Sequence, residues 1–175
     1  MTPRITPGGR RDLGLPIWLF GRLSARVMRT TEPPHLFTTL GRTRGLFWGW
    51  LHFASRLMPR GTLPRRESEL VILRVAHLRG SAYERAHHER IGRRAGLTRE
   101  EIAATADGPP VTRTGRDAAL LAATDELVGT RDLGDDTWSR LRRHLDERAS
   151  IEFLLLVGQY DMLATTLGTL RVEPD

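Results

Sequence analysis

No cysteine occurs in the sequence, which rules out disulfides, thiolate metal sites and any reaction that attacks through a thiolate. Lysine is absent too: all 27 basic residues are arginine, so no Schiff base or catalytic amine is available. Long apolar runs are missing. The longest, around residues 153–157, falls far short of the ~20 residues a helix needs to cross a bilayer. No stretch alternates apolar and polar residues as a strand would, and there is no glycine-rich phosphate loop. The metal-binding spacings H-E-x-x-H and H-x-x-E-H are also lacking. Adjacent helical side chains point ~100° apart, so His87 and His88 do not easily share one ion, and neither a metal nor a cofactor is expected.

What is present is helical periodicity and an uneven charge. At 175 residues the chain makes one domain with a real core. Residues 1–60 hold ten arginines against two acids, a charge of +8, whereas residues 61–175 hold seventeen against nineteen, a charge of −2. We therefore divide the chain into a basic, partly mobile arm (1–32) and a helical domain (33–175). The arm suits an anionic surface, but the body has no basic excess, so neither nucleic acid nor a membrane is expected as partner. Gly9-Arg10-Arg11 ahead of residues 13–20 faintly resembles a twin-arginine signal. Arg22, Arg26 and Arg29 follow at once without a small-residue cleavage site, so a cytoplasmic location is expected.

The periodicity predicts an all-α architecture of six to eight helices. Leu46, Trp50, Phe53 and Leu57 form a stripe at helical spacing, widened by Phe47, Leu51, Ala54 and Met58, with Trp48 and His52 opposite. The stretch 69–88, E-L-V-I-L-R-V-A-H-L-R-G-S-A-Y-E-R-A-H-H, organises the rest. Its first half is apolar around most of the helix, which predicts a central element, and Glu69 falls on that apolar circumference between Ile72, Leu73 and Ala76. A carboxylate there is costly unless paired or protonated. Gly80 reads as a left-handed helix stop. Ser81 and Glu84 then fit a capping box, and Thr98 with Glu101 a second one. In the new helix Glu84, His88 and Ile91 share a face, which predicts His88 inward and His87 more exposed. The break at residues 107–110 is the main loop, and Thr114 opens the next helix. Asp135 or Asp136 caps another, and the final helix spans about 147–170.

The run R-E-S-E-L-V-I-L-R-V-A-H-L-R-G-S-A-Y-E-R-A-H-H-E-R-I-G-R-R-A-G-L-T-R-E-E-I resembles the carboxymuconolactone decarboxylase-like family, which shares its fold with alkylhydroperoxidase D. The resemblance is carried by an acid twelve positions before the redox motif and a histidine seven positions after its start, here Glu69, Ser81 and His88. It implies an alkylhydroperoxidase D-like helical bundle assembled as a homo-oligomer, a dimer, trimer or hexamer. Peroxidase members carry a C-x-x-C pair where this chain has Ser81 and Glu84, so the thiol–disulfide chemistry of those members is not expected here. What the resemblance retains is the acid and the histidine of its decarboxylase-type members.

Glu69 and His88 are thus the candidate catalytic residues, an acid–histidine unit for proton transfer. The candidate pocket residues are Ser81, Tyr83, Glu84, His52, Trp48, His77 and Tyr160, with Arg74 and Arg85 as cations for a substrate carboxylate. The expected function is a cofactor-free enzyme of the lyase or isomerase type, acting on a small apolar carbonyl or carboxylate compound. The alternative is a non-catalytic oligomer that binds a ligand or partner on the same fold.

Overall fold

The structure is a computed structural model that describes residues 2–28, 30–107 and 115–175. The break expected at residues 108–110 and the helix start expected at Thr114 lie outside the described residues. Among the described residues there is no strand, and ten α-helices follow one another. They are α1 (Arg10–Leu13), α2 (Leu15–Met28), α3 (His35–Leu40), α4 (Gly45–Leu57), α5 (Arg65–Leu78), α6 (Ala82–Arg94), α7 (Arg99–Asp107), α8 (Gly115–Thr130), α9 (Asp135–Arg142) and α10 (Glu147–Leu170). The number exceeds the expected six to eight because short pieces such as α1 and α3 form separate turns.

α5 is the hub, packed against α6, α7, α8 and α10. Every residue from Ser68 to Ala76 on it is buried, as its nearly unbroken apolar circumference requires. Leu70, Ile72 and Leu73 are wholly enclosed, each contributing roughly 1.5–3 kcal/mol of apolar burial. The main core joins Val71, Ile72 and Val75 to Leu120 on α8 and to Phe153 and Leu156 on α10. A second cluster joins Leu70 and Leu73 to Leu97, Ile102 and Leu121.

Local sequence sets several boundaries. Gly80 has φ 61°, the left-handed stop predicted for α5, and Gly96 with φ 98° does the same after α6. The Thr98–Glu101 box forms: Glu101 N donates to Thr98 Oγ1 at 3.1 Å, and Thr98 N donates to Glu101 Oε2 at 2.9 Å. The cap of α9 is Gly134, not Asp135 or Asp136, which instead lie in the first turn beside the positive helix end. On α10 the cap is Asp146, whose Oδ1 accepts from Ala149 N at 2.7 Å. By length and composition α10 is apolar enough to span a membrane, but Phe153, Leu156, Val157 and Leu163 are buried in the core.

The N-terminal residues are less free than their composition predicts. Arg4 N donates to Leu170 O at 3.0 Å and Gly8 N to Thr38 O at 2.9 Å. Leu13 and Ile17 form a separate apolar cluster with Phe47, flanked by Trp18, Phe20 and Phe37. The buried side of α4 is narrower than the expected stripe. Phe47 and Leu57 are buried, whereas Leu46 is 71% exposed and Phe53 faces outward, because the α1–α2 segment covers the Phe47 side.

Candidate active site

The acid comes from α5 and the histidine from α6. Glu69 is completely buried, and His88 Nδ1 donates to its Oε2 at 2.7 Å. One turn earlier on α5, Arg65 Nη2 lies 2.9 Å from Glu69 Oε1. That contact is an ion pair without hydrogen-bond alignment, so Oε1 and Arg65 Nη1 keep no hydrogen-bond partner. The i,i+4 spacing of Arg65 and Glu69 is legible in the sequence, although Arg65 is not among the expected site residues. The close approach of the two helices depends on Gly92: a Cβ there would meet Leu97 Cδ1 at 2.9 Å, Leu73 Cδ1 at 3.5 Å and Glu69 Cβ at 3.6 Å.

Because Nδ1 is committed to Glu69, the chemistry of His88 is left to Nε2, to which no protein group bonds among the described residues. His88 lines a cavity of about 560 Å³, within the usual range for a small-molecule site. Glu84, Gln159 and Tyr160 line it too. Leu36, Phe37, Trp50, Met58 and Leu163 supply apolar wall.

Glu84 lies one turn before His88. It is not the closing member of a capping box: Ser81 occupies the N-cap position of α6, but no side-chain cap bond forms. The Glu84 side chain points into the protein instead, only 3% exposed, with neither oxygen hydrogen-bonded. Burial pushes its carboxyl up to about 8; the Ser81 hydroxyl nearby opposes this, and the charge of Asp161 adds to it. At neutral pH Glu84 is therefore mostly an uncharged acid with a proton to give. The ring of Tyr160 meets His88 edge to face, with centroids 5.0 Å apart. Its hydroxyl contacts Met58 Sδ at 3.7 Å, and burial, then the charges of Glu69 and Glu84, raise its pKa well above the ordinary value. Gln159, absent from the expected site, is buried with Nε2 unpartnered. A signal existed: Gln159 is four residues before Leu163, on the apolar side of α10.

His87 is as buried as His88, contrary to expectation, because the chain after α10 folds back over it. Arg90 Nη2 donates to His87 Nδ1 at 3.2 Å, which makes Nε2 the protonated nitrogen that donates to Asp175 Oδ2 at 2.7 Å. Asp175 also accepts from Tyr83 Oη at 3.1 Å and from His35 N at 2.7 Å. Burial alone would raise the Asp175 carboxyl, but the hydrogen bonds from His87 and His35 N hold it below its ordinary value.

Of the expected pocket residues, Tyr83, Glu84 and Tyr160 line the cavity. Ser81 is buried outside its lining, and His52 and His77 are exposed, on the faces of α4 and α5 turned from it. Trp48 is 41% exposed and packs on Phe20 and Phe47. Arg74 and Arg85 are not carboxylate binders for this cavity. Arg74 is locked to Asp125 at 2.5 and 3.0 Å and to Thr105 O, and Arg85 to Glu89, Thr105 Oγ1 and Ile102 O. Among the described residues, no three histidine, aspartate or glutamate side chains gather as a metal-binding group.

The helical architecture with an acid–histidine contact between α5 and α6 defines the class: an alkylhydroperoxidase D-like fold. An uncharacterized peroxidase-related protein from Ralstonia eutropha, described as an alkylhydroperoxidase AhpD core, superposes with a TM-score of 0.87 over 99% of this chain and 92% of its own, at 15% identity. A peroxidase-related protein from Silicibacter sp. gives 0.83 over 100% and 95%, at 11% identity. A cysteine-to-alanine variant of the debrominase Bmp8, in complex with 2,3,4-tribromopyrrole, gives 0.80 over 100% and 93%, at 16% identity. No curated protein matches the sequence. Residues 44–126 match the carboxymuconolactone decarboxylase family. Over that stretch the chain resembles the carboxymuconolactone decarboxylase family, and it lacks the C-x-x-C redox pair.

Proposed function

We propose that this protein is a cofactor-free, non-redox enzyme that moves a proton on a small, mostly apolar carbonyl or carboxylate compound. The observation that carries the reading is His88, tied through Nδ1 to buried Glu69 and facing the cavity with Nε2 uncommitted, one turn from the neutral acid Glu84. In this scheme Nε2 removes a proton from carbon beside the carbonyl, and Glu69 steadies the resulting imidazolium. Glu84 gives its proton to the carbonyl oxygen, so an enol forms without net charge build-up in the cavity. Returning the proton elsewhere on the carbon skeleton completes an isomerisation; loss of a leaving group completes an elimination. Decarboxylation and lactone opening use the same two proton-handling groups. The bromopyrrole bound by the debrominase supports the reading that this fold encloses small, largely apolar rings.

The test is solvent-deuterium exchange into a panel of apolar ketones and oxo acids, followed by NMR. Glu69→Gln and His88→Gln should each lower the rate by ~10²-fold or more with the helical spectrum intact. Exchange that persists in both variants would refute the pair's role.

We further propose a homo-oligomer. On α2, Leu19, Leu23 and Val27 are exposed at four-residue spacing, and Ile151, Leu155 and Met162 are exposed on α10. Light scattering should then give a mass above 19.8 kDa, and a monomer at micromolar concentration would overturn this.

A further inference from the structure

The cavity has two chemically different ends. One end holds three polar groups with atoms unclaimed by the protein: both oxygens of Glu84, Nε2 of Gln159 and Nε2 of His88. With Glu84 protonated, Glu84 and Gln159 are donors, which suits an acceptor such as a carbonyl oxygen. The other end is marked by Arg90 and Arg94, which line the cavity farther along α6. Both are exposed and, among the described residues, neither forms an ion pair. Other arginines near the core are spent on carboxylates, as Arg66 is on Asp117, Arg74 on Asp125 and Arg116 on Glu67. Among the described residues, the hydrogen bond that Arg90 makes is the one to Nδ1 of His87.

Glu84 and Arg90 are six residues apart on one helix, a rise of about 9 Å, and Arg94 lies a further turn on. Ile91, Leu163 and Leu167 line the space as apolar wall. Asp175 lies beyond His87 from Arg90 and brings one negative charge, which the two guanidinium groups outnumber. It is outside the cavity lining, and its oxygens are occupied by His87, Tyr83 and His35 N.

We infer that the cavity takes an amphipathic anion: a compound whose carboxylate is held by Arg90 and Arg94, whose body is apolar, and whose far end carries the group that meets Glu84, Gln159 and His88. Guanidinium groups without carboxylate partners at the rim of an apolar cavity supply the charge that such a ligand needs, and an apolar body replaces water along the wall. The inference rests on the reading of this cavity as the reaction site, and it narrows the substrate to one whose anion sits at the opposite end of an apolar body from the reacting carbonyl.

Binding separates the two ideas. Calorimetric titration of the intact protein with hexanoate, octanoate, decanoate and dodecanoate should show saturable binding that tightens with length up to the span of the cavity. The matched primary alcohols should bind at least tenfold more weakly. In Arg90→Gln/Arg94→Gln the carboxylate should lose at least tenfold in affinity and the alcohol should not change. Equal affinity for acid and alcohol, an unaltered carboxylate affinity in the double variant, or no saturable binding at any length would each overturn the inference. Proton exchange that survives in Glu69→Gln and His88→Gln, with the carboxylate preference intact, would sink the proton-transfer reading and leave the anion site standing.

Discussion

Replacing Glu84 by glutamine should make the protein more stable, and increasingly so as the pH rises. The folded carboxyl titrates at about 8 against an ordinary 4.5, chiefly through burial. Between those values the unfolded chain has lost the proton and the folded protein keeps it. The native state then binds more protons, and stability falls as pH increases. At ~1.4 kcal/mol per pH unit, this one side chain costs the fold roughly 3 kcal/mol at pH 7 and roughly 5 kcal/mol above pH 8. The cost is absent below pH 4.5, where both states are protonated. Glutamine is nearly isosteric and cannot ionise. Urea unfolding of parent and Glu84→Gln at pH 4.5, 6, 7 and 8.5 should give equal stability within ~1 kcal/mol at the acid end and a difference that widens by ~1.4 kcal/mol per unit up to about pH 8 and then levels off. Other titrating groups cancel in the difference. Two curves that run parallel across this range would refute the argument, since they would mean that Glu84 ionises in the folded protein as it does in water. A gain in stability joined to a loss of proton exchange would place Glu84 among groups kept for function at the expense of the fold.

Gly92→Ala should destabilise the protein by roughly 1–3 kcal/mol in urea melts, because the new methyl lands 2.9 Å from Leu97 Cδ1. By pushing α6 from α5 it should also slow any turnover that depends on His88. Asp117→Ala strips Arg66 of its two-pronged partner at 3.0 and 3.1 Å and should cost roughly 2–4 kcal/mol in the same assay; a loss under ~0.5 kcal/mol would mean that Glu101 alone suffices. Asp146→Ala removes the cap bond to Ala149 N and should lower stability by about 1 kcal/mol, whereas Asp146→Asn should keep most of it.

Local chemistry was readable wherever neighbours in sequence decide the outcome. The glycine stops at Gly80 and Gly96, the Thr98–Glu101 box and the limits of α10 all follow from residues a turn apart. The Glu69–His88 contact was also legible, since each acid or imidazole sits among apolar residues at helical spacing and the turn at Gly80 folds one helix onto the other. What failed was choosing between competing faces. On α4 and α10 apolar residues occupy more than one stripe, and which stripe is buried depends on elements far away in sequence. On α4, Leu46 and Phe53 of the expected stripe ended outside, and on α10 Ile151 and Leu155 lie outside while Leu156 and Leu167 lie inside. Glu84 fits a cap signal and also shares the face of His88, and the packing of α6 selects the second of these two readings. The burial of His87 depends on Asp175, 88 positions away, which no local pattern encodes.

The acid of the site sits on α5, the helix buried from Ser68 to Ala76, whereas much of the opposite cavity wall comes from α3 and α4, which have far fewer neighbours. Resistance to local opening follows such packing, so the amides around Glu69 should exchange with solvent only through global unfolding, and those of α3 and α4 through smaller excursions. The two walls therefore divide the labour in time. One keeps the proton-handling geometry on the slow clock of the whole fold, and the other can part and reseal around an incoming molecule many times before that clock advances.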